Sequence, residues 1–107
     1  MADILEQGKV DETIANGIAT ITFFHPLSNS LPGVLLNQLA TTITQLGKNE
    51  AVTVIVLKSE GERAFCAGAS FDELININDI ETGKVFFSGF ANVINACRTC
   101  PKLIIGR

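Results

Sequence analysis

Tryptophan and tyrosine are absent from this 107-residue sequence, and histidine and methionine occur once each. With only 7 phenylalanines as aromatics, few side chains are left to stack on nucleic-acid bases. Positive charge is also scarce. Lys plus Arg is 8 against 11 for Asp plus Glu, a net charge of −3, which argues against a broad phosphate-neutralising face. We therefore expect no nucleic-acid partner. The 3 cysteines are too few, and odd in number, for a disulfide scaffold. No apolar run approaches the roughly 18 residues that span a bilayer, so no membrane role is expected. The opening Met1-Ala2-Asp3-Ile4-Leu5-Glu6 has neither the basic nor the apolar region of a secretory signal. The expectation is a reduced, intracellular, cytoplasmic chain. What is present is a core: 47% apolar and 18% charged residues, the balance of one small globular domain.

Ile4-Leu5-Glu6 and Lys9-Val10 read as a short edge strand around Gly8. Asn16-Gly17 is a two-residue hairpin signal, and Ile18 to Phe24 alternates as a strand does. His25-Pro26 stops that strand. Ser30 is a candidate helix cap, with Pro32 in the first turn, and Leu35, Leu39, Ile43 and Leu46 recur at helical spacing. Gly47 is placed to end the helix in a left-handed conformation. Val52 to Leu57 is apolar and β-branched, as in a strand buried on both faces of a parallel sheet. A second helix is expected within Glu81 to Arg98, with Phe86, Phe90, Val93, Ile94 and Cys97 on one stripe. Pro101 closes it and Leu103-Ile104-Ile105 begins another strand. The ββαβ order makes the class α/β. A sheet whose last strand has only begun at Gly106-Arg107 reads as a cut chain.

The chemistry lies after the buried strand, in Arg63-Ala64-Phe65-Cys66-Ala67-Gly68-Ala69-Ser70-Phe71-Asp72-Glu73-Leu74. Four successive small residues, Cys66 to Ala69, follow a strand's C-terminal end, where open α/β sheets bind ligands. Small side chains let a ligand reach the backbone. If Ser70 to Leu74 starts a helical turn, the Ala69 N–H points out of its N-terminus, which is half of an oxyanion hole. A tight strand-to-helix connection with no ligand explains the same residues.

Other candidates are weaker. Asp72 and Glu73 are adjacent acids that point to different sides of a helical turn and suit its dipole. His25 is the one histidine that could activate Cys66, yet a His-Pro pair at a strand end is commonly a turn. Cys97-Arg98-Thr99-Cys100 has no second pair to complete a zinc site, and it falls at a helix end rather than at its start. No metal site is expected.

The loop Arg63 to Ala69 with Glu73-Leu74, His25-Pro26 before Asn29-Ser30-Leu31, Val54 to Leu57 before Gly61, and Pro101 to Ile105 together resemble the enoyl-CoA hydratase/isomerase (crotonase) family. The match runs along almost the whole chain but only the N-terminal part of that family's domain. It departs at Ser70, where the family often has Asp, at Asp72, where a basic residue is common, and between Pro26 and Asn29, one residue short of many members. The resemblance implies the N-terminal portion, residues 1–107, of a single crotonase-like ββα superhelix domain. It implies catalysis through Ala69, whose N–H would be the first of two donors to the enolate oxygen of a CoA thioester. Ala67 and Gly68 would meet the CoA, Leu27 and Ser28 would lie near its nucleotide, and Ser70 and Phe71 would border the acyl and pantetheine path. The second donor and the acid/base carboxylates would lie beyond Arg107. CoA would be part of the acyl-CoA thioester substrate, with no separate cofactor, and the full-length parent would be a homotrimer or hexamer. A non-catalytic CoA-binding or assembly module of the same fold is the alternative, and a thiol redox or metal protein using Cys97 and Cys100 is a third.

Overall fold

The computed structural model describes residues 8–107. The first element is a hairpin of β1 (Lys9–Ala15) and β2 (Ile18–Phe24), paired antiparallel from Lys9↔Phe24 to Ala15↔Ile18. Asn16 and Gly17 turn it with φ of 55° and 81°, the double left-handed geometry that matches strand twist. Lys9-Val10 thus belongs to a long first strand. Ile4-Leu5-Glu6 lies outside the described residues.

After β2 come the two-residue strand β3 (Ser30–Leu31) and helix α1 (Gly33–Gly47). Then follow β4 (Val54–Ser59), a second short strand β5 (Gly68–Ala69), one turn of helix α2 (Phe71–Leu74), the long α3 (Ile80–Thr99) and β6 (Leu103–Gly106). β4 lies parallel to β2, with Ala19 opposite Ile55, and β6 lies parallel to β4, giving the order β1-β2-β4-β6. α1 and α3 are the crossovers that parallel neighbours require. The fold class is therefore α/β, as the order of elements predicts.

One core holds these layers together. Ala19, Ile21, Phe23 and Ile55 from the sheet meet Leu35, Leu36, Leu39, Ile43 and Leu46 of α1, all buried. α3 adds Phe86 and Ala96 and approaches α1 closely at Gly89, where an added Cβ would sit 3.0 Å from a Leu36 methyl.

Four local expectations are corrected. Ser30 does not cap α1: it is in β3, its Oγ donates to Leu27 O at 2.8 Å, and Pro32 is the capping residue. Gly47 is not left-handed but the last helical residue, and it is small because Cys100 Sγ and Pro101 Cδ would lie 3.1 and 3.2 Å from a Cβ. β4 begins two residues later than expected, and in it only Ile55 is fully buried, while Val54, Val56 and Leu57 are half-buried. Ile94 leaves the α3 stripe and is 58% exposed.

Candidate active site: the loop between β4 and α2

β2 and β4 run parallel, so both end on the same side of the sheet. The turn 25–29 leaves from the first, and the loop 60–67 from the second. Between them lies an open cavity of about 470 Å³, lined by Phe24, His25, Pro26, Ser28 and Asn29 on one side and Glu60, Gly61, Glu62 and Arg63 on the other. Outside the C-terminal ends of parallel strands is where such sheets bind ligands.

The turn is tightly built. Ser28 and Asn29 both have positive φ, 56° and 61°, a backbone that asparagine tolerates better than most residues. Asn29 N–H donates to His25 O at 3.0 Å, closing the turn. His25 is buried, and its Nδ1 accepts from Leu27 N–H at 3.2 Å, so the histidine serves the turn. Lys9 pairs with Glu60 at 3.3 Å, and that contact raises the lysine's pKa, with Asp11 adding to it.

The small-residue run forms β5, which pairs in parallel with β3 through Ser30↔Gly68 and Leu31↔Ala69. Ser70 N–H donates to Leu31 O at 3.3 Å, and Ala67 N–H to Asn29 O at 3.3 Å. Ala67 and Ser70 are three residues apart and both donate to β3, so the two-residue alternation of a parallel ladder is interrupted at Gly68; counted back from Ser70, it turns the Ala69 N–H away from β3. Gly68 has φ of 106°, a conformation that demands glycine, and open space where a Cβ would stand. Cys66 Sγ accepts from Gly68 N–H at 3.4 Å and packs against the core, so its sulfur is used inside the loop.

α2 follows at once. Ser70 is fully buried, and its Oγ accepts Glu73 N–H at 3.4 Å as the helix cap. Its N–H is on Leu31 O and its carbonyl accepts Leu74 N–H at 2.9 Å, so Ser70 fastens the start of α2 to β3. Phe71 is 68% exposed. Glu73 Oε2 accepts Gly33 N–H at 2.8 Å. That contact supplies α1 with the carboxylate that its own first turn lacks. A Cβ on Gly33 would stand 3.1 Å from Glu73 Oε1, which explains the glycine. Glu73→Ala is expected to destabilise the protein by about 0.5–2 kcal/mol, as loss of a helix cap does, and Glu73→Gln by less, read from denaturation midpoints.

The predicted residues fall into two groups. Ser28 lines the cavity and Leu27 is in the same turn, 37% exposed. Ala67, Gly68, Ala69 and Phe71 lie past Arg63, outside its lining. Beyond α2 a second cavity of about 380 Å³ is lined by Glu73, Asn76, Ile77, Glu81, Thr82, Val85 and Phe86. The chain segment bearing Ala69 therefore runs from one cavity wall to the other. Arg63, the one lysine or arginine among the described residues that line the first cavity, and Asn29 were given no role from the sequence. Asn29's signal was its place in Asn29-Ser30-Leu31.

The third reading loses support. Burial, with Cys100 second, pushes the Cys97 thiol above its usual pKa, the opposite of an activated thiol. Among the described residues no three His, Cys, Asp or Glu side chains cluster as metal ligands. No helix among them is long and apolar enough to cross a membrane.

A mixed sheet whose parallel strands are joined by crossover helices, with a glycine-shaped loop at the strand ends, makes this an α/β unit. The family model of enoyl-CoA hydratase/isomerase matches residues 13–107, and the chain belongs to that family. It is similar to human enoyl-CoA hydratase domain-containing protein 2, mitochondrial, with 30% identity over 86 residues, covering 79% of this chain and 29% of that protein. Among solved structures, a putative enoyl-CoA hydratase from Streptomyces coelicolor A3(2) matches with 31% identity and a TM-score of 0.78, covering 91% of this chain and 36% of that one. An enoyl-CoA hydratase from Mycobacterium smegmatis matches with 26% identity and a TM-score of 0.82, covering 91% and 38%. The fold is that of crotonase structures. The chain spans less than a third of the curated relatives it matches.

Proposed function

We propose that these 107 residues serve as the front part of an enzyme that hydrates a 2-enoyl-CoA thioester or shifts its double bond. The observation that carries this reading is the β3–β5 register, which turns the Ala69 N–H away from the ladder at the end of a parallel strand. There it would donate to the thioester oxygen as the carbonyl becomes an enolate. A fixed donor is worth most where charge develops, because it needs no reorganisation during the reaction. The turn at Leu27 and Ser28, with Arg63 opposite, would take the nucleotide end of CoA. Ala67 and Gly68 would lie along the CoA portion of the substrate, and Phe71, with Ser70 behind it fixing the start of α2, would border the acyl and pantetheine path. CoA enters as substrate, and no separate cofactor is required.

Hydration also needs a proton donor and a base for water. Glu73 Oε2 is held by Gly33 N–H, and Asp72, its neighbour in the single turn of α2, projects to a different side, so the two do not converge as an acid/base pair. We place the second oxyanion donor and the acid/base groups outside these residues, and the working enzyme in a homotrimer or hexamer. Three free thiols suit a reducing compartment such as the cytoplasm.

The test is turnover. The full-length protein is expected to consume a 2-enoyl-CoA, read as loss of the conjugated thioester's ultraviolet absorbance, while the 107-residue chain alone stays at background. CoA binding by a full-length protein with no turnover on short or long enoyl-CoA substrates would replace this reading with a non-catalytic CoA-binding or assembly module. Turnover by the 107-residue chain, free of contaminating enzyme, would move the acid/base roles to Asp72 and Glu73.

A further inference from the structure

We propose that Asn29 is a positioning residue that fastens loop 60–67 to the end of β2 and thereby presets the Ala69 N–H before any ligand arrives. The inference rests on the reading of Ala69 as the donor, and it deepens that reading by naming what holds the donor still.

Asn29 is 3% exposed, and every polar atom of its side chain is used. Its Nδ2 donates to Glu60 O at 2.9 Å and to Ala64 O at 2.8 Å, and its Oδ1 accepts His25 N–H at 2.8 Å. Its backbone oxygen accepts Ala67 N–H at 3.3 Å. One residue thus ties the strand-end turn to the start, middle and end of a loop that contains neither helix nor strand. The last of these bonds sits at the decisive place. Asn29 directly precedes β3 and Ala67 directly precedes β5, so it is the rung just before the ladder that orients Ala69.

The chemistry selects asparagine. Two carbonyls converge on Nδ2, and only an amide supplies two N–H donors beside an acceptor on so short a side chain. Aspartate keeps the acceptor for His25 but faces both carbonyls with a carboxylate. Glutamine would carry its amide one methylene further from the three partners that asparagine reaches at 2.8–2.9 Å.

Two readouts in the full-length protein test this, using Asn29→Asp. Hydrogen exchange is measured without ligand at the Ala67 and Ser70 amides and, as reference, at Ile21 and Ile55 in the main sheet. The loop amides are expected to exchange about tenfold to a hundredfold faster, with the reference amides within about twofold of the parent. Turnover of 2-enoyl-CoA is expected to show kcat falling at least about tenfold, with KM changing by less than about threefold. Unchanged loop exchange, equal acceleration in the main sheet, or looser loop amides with parental kcat would each overturn the proposal. If the parent turns over no thioester, the functional reading falls, while exchange still decides whether Asn29 holds the loop. Should Asn29→Asp fail to fold, Asn29→Gly keeps the left-handed backbone, removes all three side-chain bonds and is judged by the same readouts.

Discussion

Ala69→Pro in the full-length protein is expected to lower kcat on a 2-enoyl-CoA by about 10²–10³-fold, roughly 2.7–4 kcal/mol of transition-state stabilisation. Proline deletes one N–H and nothing else that faces the proposed oxyanion. Ala69→Gly keeps the donor and is expected to stay near parental rate. Ser70 and Ala67 both donate to β3, so two bonds between the segments remain when the Ala69 N–H is removed. Proline also restricts the residue before it, and Gly68 holds a φ of 106°. The comparison therefore requires that Ala69→Pro match the parent in thermal midpoint and in CoA affinity. A folded, CoA-binding Ala69→Pro enzyme at near parental kcat would remove Ala69 from the mechanism.

The largest expected stability effect is at Phe23. The ring is 2% exposed near the C-terminal end of β2, within the core that includes α1. It also meets Phe65 edge-to-face, with centroids 5.2 Å apart. Phe23→Ala removes that pair and leaves a cavity that close-packed neighbours fill only in part, at a cost of about 3–5 kcal/mol. Phe65 is 44% exposed, so Phe65→Ala is expected to cost much less, chiefly the aromatic pair at about 0.5–1.5 kcal/mol. Denaturant titration of both variants checks the ranking, and equal losses would contradict it. Because Phe65 belongs to the loop before Ala67, this contact also joins the core to the proposed site. Phe65→Ala should therefore affect turnover more than its stability loss suggests.

Much of the fold was legible because local chemistry and tertiary need agree along this chain. Asn16-Gly17 dictated the hairpin through backbone conformation alone. The Leu35–Leu46 spacing marked the face of α1 that meets the sheet, and the β-branched run 54–57 marked the central strand. The errors fell where the partner is distant. Ser30 has the chemistry of a cap, but β5 claims its backbone for a ladder and Glu73, forty positions away, serves the helix N-terminus instead. Gly47 has the composition of a left-handed stop, but it is small because Cys100 and Pro101 press against it. Burial of β4 on two faces was expected from its composition, yet only Ile55 in it is fully buried.

By itself the sequence determined the α/β class, the order of elements, the small-residue loop after the central strand, and a resemblance strong enough to locate Ala69. These follow from periodicity, from turn preference and from side-chain size, which act over a few residues. Only the tertiary structure decided which way the Ala69 N–H turns, that Ser70 and Glu73 are committed to helix ends, and that Asn29 gathers His25, Glu60, Ala64 and Ala67 around one side chain. Each of these depends on hydrogen bonds between segments that meet only when the parallel strands align. A donor's direction is set by the register of its ladder, and register belongs to the folded pair rather than to either strand.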